Sequence, residues 1–565
     1  MRAYEAVARA VEEEGVRSIF CLMGVGNMPI LVNIRERGRI QVYDARHEGA
    51  ALAMADGFAR ASGDVGVCSV TNGPGLTQLG TSLMVASRHR SPIVVIAGDT
   101  PTGLKGMGNM QDMDQRSFAE ASGALFHQLR GPGSVAQDVQ QAFWLARTRR
   151  LPVVLNCPVD IQNGDLVGEF SYQRSSARIG KTPLMVPVPA EVEKAADMIA
   201  SARRPVLVAG LGAVTSGARE ALDALGDRIG AALATTIRAK GFLDGPWSIG
   251  ICGNLGSSKV EPFLERADLV IFVGSSVSTN VTGGGSLFPR ARTLQIDTDP
   301  TSIVGGRPAD HLLVGDARLA VEAIVQRLVE AEFTAPGYRD GTYNEYFDID
   351  PLAREVEHCR GLVADDEIDP HRLLQELDKF LPRECTLVIG SGHFFAFPTT
   401  YLNGYRSRRF LYTYDFGTIG QAIPTGFGVA IADPSRPVVV IEGDASTLMN
   451  IHMFDSTAHY EPKMLVLVMN DGALGAEFHQ LSAKGQDPEW ALMPTPDFGR
   501  LAEVFGNAGS TLVDATKAEG LISSFVSGTG THVVDVRISR SVISRHFRRA
   551  YFSGSDQPNV AQKGR

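Results

Sequence analysis

Glu442-Gly-Asp-Ala-Ser-Thr-Leu-Met-Asn450, followed by Met464-Leu-Val-Leu-Val-Met469 and Asn470-Asp-Gly472, is the stretch whose reading decides the fold. The run Met464–Met469 is apolar throughout, the pattern of a strand covered on both faces. Asp444 and Asn470 lie 26 residues apart, which fits one strand-helix-strand crossover. That crossover returns Asn470 beside Asp444 at the carboxyl edge of a parallel sheet, where α/β folds bind their ligands. A carboxylate and a side-chain amide are hard oxygen donors that suit Mg²⁺, with phosphate oxygens completing the octahedron. Gly443, at the strand end, lets backbone approach a phosphate closely. The competing reading is a strand-end Asp capping a helix, followed by an Asn-Asp-Gly turn.

The same alternation extends outward in both directions. Apolar strands at Ser18–Met23, Val65–Val70, Pro92–Ala97 and Pro152–Asn156, each followed by Gly, Pro or Asp, alternate with helical segments. This predicts an α/β chain of three doubly wound parallel-sheet domains. The expected units are residues 1–170, 186–332 and 366–540, with a basic tail or lid at 541–565. Residues 171–185, polar and basic, suit a linker. Residues 333–366, rich in Gly, Tyr and Asp, suit a second connection.

Composition narrows the function classes. The 565 residues allow three or four domains at about 150 residues each. An apolar fraction of 44% with 21% charge fits large globular cores. A net charge of −9 gives no reason to expect nucleic acid. The six cysteines are scattered with no CxxC pair, so neither zinc nor disulfides are expected and a reducing cytoplasm is. The start runs directly into an acidic amphipathic pattern, so no signal peptide is expected. No apolar run reaches the roughly 20 residues that span a bilayer.

Three further segments carry chemistry. Arg46-His-Glu48 leads a helix of small residues ending at Gly63. Thr71-Asn-Gly-Pro-Gly75 turns a strand into a helix. Asp415-Phe-Gly417-Thr-Ile419-Gly-Gln-Ala-Ile-Pro424 stands about 25 residues before Asp444. With the 442–472 stretch, these segments resemble the thiamine-diphosphate-dependent enzymes. The resemblance covers nearly the whole chain. Within that family it is acetolactate-synthase-like, related to oxalyl-CoA decarboxylases and 2-hydroxyacyl-CoA lyases. Two departures are visible: Ala445 stands where the family has a second Gly, and Asp471 where it has a second Asn.

The resemblance implies a pyrimidine-binding domain, a central domain and a diphosphate-binding domain. It makes Asp444, Asn470 and the Gly472 carbonyl the metal ligands. It places Gly443, Ala445 and Ser446 at the diphosphate, Pro74 and Gly75 at the pyrimidine, and Gly417 and Ile419 beneath the cofactor. Ile419 would bend the cofactor, and Glu48 would exchange a proton with its aminopyrimidine ring. The family sets these domains against each other on different chains, which implies a homodimer or homotetramer with active sites between chains.

Substrate contacts are less determined. Gly26 and Asn27 lie on a turn that faces the cofactor in relatives. Gln111-Asp112 resembles, imperfectly, a Gln-Glu pair of acetolactate-synthase-like carboligases. His393, after Gly390-Ser-Gly392, reads as a diphosphate or substrate contact or as a loop histidine. Glu489, in a segment (482–496) expected to fold over the site, reads as a proton donor or an exposed acid. Glu477 falls one position past the catalytic Glu of decarboxylases, which corresponds to Ala476, so that role is not carried over.

In the middle unit, Gly210-Leu-Gly212, Val273-Gly-Ser-Ser276 and Asp297-Thr-Asp299-Pro300 follow strands as in nucleotide sites. Relatives hold FAD, ADP or nothing there. The Arg that follows the Val-Gly turn in FAD-binding relatives is absent. Arg537, Arg540, Arg545, Arg548 and Arg549, interleaved with Phe547, Tyr551 and Phe552, suit a phosphate-bearing substrate such as an acyl-CoA, or else a solvated tail.

The expected function is a thiamine-diphosphate- and Mg²⁺-dependent C–C lyase or carboligase acting on a small molecule, a 2-oxo acid or related acyl substrate. The alternatives are a 2-hydroxyacyl-CoA lyase or oxalyl-CoA-type decarboxylase, and a non-catalytic cofactor-binding paralogue.

Overall fold

Aliphatic runs without polar alternation become strands buried on both faces, and they do so three times in this chain. The computed structural model describes residues 1–178, 184–299, 301, 308–405 and 409–552. Pro300, residues 302–307, part of the 171–185 linker and the tail beyond residue 552 lie outside the described residues.

The first sheet contains β1 (Ser18–Cys21), β2 (Gln41–Asp44), β3 (Gly66–Val70), β4 (Ile93–Asp99), β5 (Leu125–Gln128) and β6 (Pro152–Pro158). The second contains β7 (Pro205–Ala209), β8 (Ala232–Thr235), β9 (Ser248–Ile251), β10 (Leu269–Val273), β11 (Arg292–Asp297) and β12 (His311–Val314). The third contains β13 (Thr386–Ile389), β14 (Phe410–Tyr412), β15 (Val438–Gly443), β16 (Met464–Asn470), β17 (Ala508–Leu512) and β18 (Thr531–Arg537).

The first sheet runs β2-β1-β3-β4-β6-β5 and the third β14-β13-β15-β16-β18-β17. Counted from each sheet's first strand, the two orders are identical. Both are doubly wound, with the order reversing between β1 and β3 and between β13 and β15. Ligands of such sheets bind beyond the strand ends at that reversal. There lie Gly24–Asn27 and Thr71–Gly75 in the first domain, and Gly390–His393 and Gly443–Asp444 in the third. The central sheet runs β12-β11-β10-β7-β8-β9.

The first and third domains share one core. The helix Glu48–Ser62 packs along the helix Ala422–Ala432, and residues of both belong to a single buried cluster. Glycine permits the approach: a Cβ on Gly428 would lie 1.8 Å from the Met54 carbonyl oxygen, and one on Gly57 2.0 Å from that of Thr425. Both obstacles are backbone, so side-chain rearrangement gives no relief. Gly428→Ala is therefore expected to destabilise the chain by about 3 kcal/mol, read as a lower midpoint in urea unfolding. An unchanged midpoint would mean that the helices are not in this contact.

The central domain is also joined to the third. Thr400 Oγ1 donates to the Leu255 carbonyl (3.1 Å), and buried Lys240 reaches across to Thr399 and Asn403. Lys240 Nζ donates to the Thr399 carbonyl (2.6 Å) and Asn403 Oδ1 (3.1 Å), and sits 5.1 Å above the Phe410 ring. Burial pushes its pKa down to about 7, against a weaker opposing pull from Asp378. A lysine depressed in the folded state holds fewer protons there than in the unfolded chain above that pKa. Stability from this group therefore rises with pH, from about 7 towards the ordinary lysine value. The melting temperature is expected to gain from this term between pH 7 and 9.5, and Lys240→Met to remove the gain. Parallel pH profiles for the two proteins would contradict it.

Candidate active site

β15 and β16 pair in parallel with Gly443 opposite Met469, so the next residues, Asp444 and Asn470, emerge side by side. Asp444 Oδ2 accepts from the Gly472 N–H (2.9 Å), and Asn470 Oδ1 accepts from the same N–H (3.2 Å). Two hard oxygens thus converge on one point. Asn470 is oriented for this, because its Nδ2 donates to Asp535 Oδ1 (2.8 Å), which leaves Oδ1 turned to the site. Thr495 Oγ1 also donates to Asn470 Oδ1 (2.9 Å). Gly472, at φ 66°, turns the chain back over the sheet edge. Its carbonyl accepts from the Met493 N–H (2.9 Å), which uses one of two lone pairs.

Asp444 is 3% exposed, and no Lys, Arg or His among the described residues forms an ion pair with it. Burial pushes the Asp444 and Asp471 carboxyls upward, and the charge on Asp444 pushes Asp471 further. A buried carboxylate without a protein counter-charge, flanked by an oriented amide oxygen, is a donor set that fits a hard divalent cation. Ala445 contributes its N–H to Asp444 Oδ1 (2.7 Å). A Cβ at Gly443 would meet the Phe394 ring at 2.8 Å.

Beneath this edge lies Glu442, fully buried, accepting from the N–H groups of Ala422 (3.0 Å) and Gly443 (3.2 Å). Burial raises its pKa to about 7, opposed by those two N–H groups and Ser446. Gly390 leaves room for this side chain, since a Cβ would lie 1.9 Å from Glu442 Oε1. Nothing in the sequence pattern distinguishes this buried acid from an exposed strand-end Glu.

In the first domain, Glu48 opens its helix, with the His47 ring accepting from the Gly49 N–H (3.0 Å) at the cap. Glu48 is half-buried, and its charge is one of the causes that push the buried Cys68 thiol upward, after burial and Cys21. Pro74 and Gly75 begin a short helix behind Gly73 at φ 59°. Gln111 is brought to this turn: its carbonyl is 2.6 Å from where a Gly73 Cβ would stand. Gln115, which sequence reasoning missed, holds the turn in place. It accepts from the Gly73 N–H (2.9 Å) and donates to the Gly98 carbonyl (2.9 Å) and Asn156 Oδ1 (2.6 Å).

Other expected contacts have structural partners. Asn27 is fully buried; its side chain accepts from the Gly24 N–H (2.8 Å) and donates to the Leu22 carbonyl (3.2 Å) and Ser69 Oγ (3.1 Å). It shapes the turn rather than presenting itself to a ligand. Gly26 is locked to Thr71 Oγ1 (3.0 Å). His393 Nε2 accepts from the Ser544 N–H (3.0 Å), and its ring packs 4.3 Å from His479 and 4.9 Å from Phe547. Burial pushes both histidines down, His479 to about 4. His393 thus anchors the C-terminal segment. Glu489, on the short 3-10 helix Pro488–Ala491, is exposed. The 482–496 segment does reach the site, through Met493 and Thr495.

All five arginines named in the C-terminal segment are engaged. Arg537 pairs with Asp535 (2.6 Å), Arg545 and Arg549 with Glu261 (2.7 Å each), and Arg548 with Glu355 (2.5 Å). Arg540 donates to the Asp471 carbonyl. Arg545, Arg548 and Arg549 tie the last helix to the central domain and the 351–358 helix, while Arg537 and Arg540 bond within the third domain, which removes the support the five lent to an acyl-CoA substrate. In the central domain, Gly212 N donates to the Gly274 carbonyl (2.8 Å), and a Cβ on Gly210 would sit 2.3 Å from that oxygen. Loop-on-loop packing accounts for these glycines. Cys359, Asp369 and His371 also cluster within 4.8 Å. Asp369 Oδ1 there caps a helix through the His371 N–H (2.8 Å) and meets His371 Nδ1 (3.0 Å), so the group is a buried helix start.

Known proteins match this chain over nearly its whole length. Residues 1–118 match the N-terminal TPP binding domain of the thiamine pyrophosphate enzymes, 192–324 their central domain, and 390–536 their C-terminal TPP binding domain. The acetolactate synthase of Arthrospira platensis is 30% identical, over 95% of this chain and 94% of that protein. The probable acetolactate synthase large subunit of Methanocaldococcus jannaschii is 28% identical, over 95% and 92%. The acetolactate synthase isozyme 3 large subunit of Escherichia coli K12 is 27% identical, over 92% and 91%. The chain therefore belongs to the thiamine pyrophosphate (thiamine diphosphate) enzymes, as an acetolactate-synthase-like member of that family.

Proposed function

We propose that this enzyme is a Mg²⁺-dependent carboligase or lyase acting on a 2-oxo acid. The observation that carries the reading is the convergence of Asp444 Oδ2 and Asn470 Oδ1 on the Gly472 N–H at the sheet edge. In this reading Asp444, Asn470 and the free lone pair of the Gly472 carbonyl hold the cation. Gly443, Ala445 and Ser446 flank the diphosphate. Pro74 and Gly75 line the pyrimidine, Gly417 and Ile419 support the cofactor from below, and Glu48 exchanges a proton with the pyrimidine ring. The bound cofactor supplies a carbon nucleophile and an electron sink for the C–C bond. The relatives' names, all acetolactate synthases, favour carboligation of a 2-oxo acid.

The active unit in this proposal is a homodimer or homotetramer. Supporting it, the carboxyl edges of the first and third sheets carry Val25 (74% exposed), Met110 (98%), Met449 (59%) and Trp490 (86%). Apolar side chains gathered at ligand-binding edges suit cover by a second copy. No helix among the described residues is long and apolar enough to cross a membrane. All six cysteines are free and buried, which suits the reducing cytoplasm proposed for the enzyme. ADP or FAD forms no part of the proposed activity.

Mass spectrometry of small molecules released from the purified protein, with a substrate screen of pyruvate, glyoxylate and short acyl-CoAs, tests the reading. Thiamine diphosphate uptake that requires Mg²⁺, with turnover of a 2-oxo acid, is expected. Turnover confined to the acyl-CoAs would overturn the substrate class, and failure to take up thiamine diphosphate with Mg²⁺ would overturn the site.

A further inference from the structure

The loop that carries Gly417 and Ile419 is held firmly at both ends, with Phe416 and Gly417 exposed between them. At its start the Asp415 side chain, 5% exposed, meets His89 Nδ1 at 2.5 Å. The other Asp415 oxygen accepts from Arg238. His89 belongs to the first domain, Arg238 to the central domain and Asp415 to the third, so one carboxylate joins all three. Supporting bonds surround it. The Tyr412 carbonyl accepts from Arg60 (2.9 Å) and faces His89 Nε2 (3.1 Å), and Arg238 also reaches the Tyr412 hydroxyl (3.1 Å) and the Arg88 carbonyl (3.1 Å). Burial alone would raise the Asp415 carboxyl, but His89 and then Arg238 hold it far below the ordinary range.

At the other end, Asn450 donates to the Gly420 carbonyl, Ser82 meets Gln421 Oε1 (3.1 Å), and Glu442 accepts from the Ala422 N–H (3.0 Å). Between these anchors, Gly417 is at φ 70°, and a Cβ there would meet no atom within 4 Å. Thr418 Oγ1 donates to the neighbouring Ile419 carbonyl (3.2 Å). With Phe416 under the Arg88 guanidinium (4.9 Å) and Thr418 and Ile419 only half-buried, the loop leans on its anchors for its position.

We propose that the Asp415–His89–Arg238 junction is a positioning device that sets Ile419 against the cofactor and makes competence depend on docking of all three domains. The inference rests on the proposed place of Ile419 beneath the cofactor. Asp415 touches no reacting atom in this scheme; it acts through the loop.

The test compares full-length wild type, Asp415→Asn and the milder Arg238→Lys. Three quantities are read: kcat and KM, the near-ultraviolet circular dichroism of bound thiamine diphosphate, and chymotrypsin cleavage of the apoprotein at Tyr414 and Phe416, which are 41% and 43% exposed. Asp415→Asn is expected to lower kcat about 10- to 100-fold, with KM little changed. It should also alter the dichroism and speed cleavage at the loop. Arg238→Lys should do the same to a smaller degree. Wild-type kcat and dichroism in both variants would overturn the proposal. So would a loss of thermal stability alone, with kcat per bound cofactor unchanged. If wild type itself takes up no thiamine diphosphate with Mg²⁺, the reading of Ile419 fails first and this inference with it.

Discussion

Glu48→Gln is expected to lower kcat by about 10²- to 10⁴-fold, the range of a positioned acid–base group, while the melting temperature stays close to wild type. Glu48 sits at the first position of its helix, half-buried, and no ion pair of its own is present among the described residues. Removing its charge therefore breaks no ionic contact in the fold. Gln keeps the shape and a hydrogen-bonding group but cannot exchange the proton. The expected pattern is a large fall in kcat, retained cofactor binding and an unchanged unfolding midpoint. Full activity in Glu48→Gln would remove the assigned role; a collapsed midpoint would assign Glu48 to folding instead.

Asp444→Ala is expected to raise the Mg²⁺ concentration needed for cofactor binding by at least ~100-fold. Partners one step removed from a metal are already worth about 10- to 100-fold in affinity, and Asp444 is proposed as a direct ligand. Without the cation, the Asp444 carboxylate is a buried charge held by the backbone N–H groups of Ala445 and Gly472. The apoprotein should therefore tolerate Asp444→Asn, which keeps an acceptor for the Gly472 N–H, with little loss of stability. Weakened Mg²⁺-dependent binding with an intact apoprotein separates a ligand from a structural residue. Cofactor binding indifferent to both substitutions would remove Asp444 from the metal site.

Much of this architecture was legible because its signals are local. Strand runs such as Met464–Met469 carry their burial in their composition, and the 26-residue spacing of Asp444 and Asn470 matches one crossover. Both signals survive without knowledge of distant partners. Asn27, Gln115 and His393 behaved differently. Each is a polar residue near a turn, and only the folded chain shows whether its hydrogen bonds go to a ligand or to the protein. For Asn27 and His393 they go to backbone and neighbouring side chains, and for Gln115 to the turn that faces the proposed pyrimidine site. The C-terminal arginines misled for the same reason. A run of cations reads as an anion site until Glu261 and Glu355, hundreds of residues away, are found beside it.

By itself the sequence determined the three parallel α/β units, the strand-end positions of Asp444 and Asn470, and the helix headed by Glu48. These follow from hydrophobic periodicity and from turn and ligand chemistry within a few tens of residues. Tertiary structure alone decided that Gly57 and Gly428 let two helices touch backbone to backbone, and that Asp415 gathers partners from three domains. It also decided that Glu442 lies fully buried, held by the N–H groups of Ala422 and Gly443. Those outcomes depend on which distant atoms occupy the same few ångströms. Close packing and desolvation are properties of that shared space, and no local stretch of the chain encodes them.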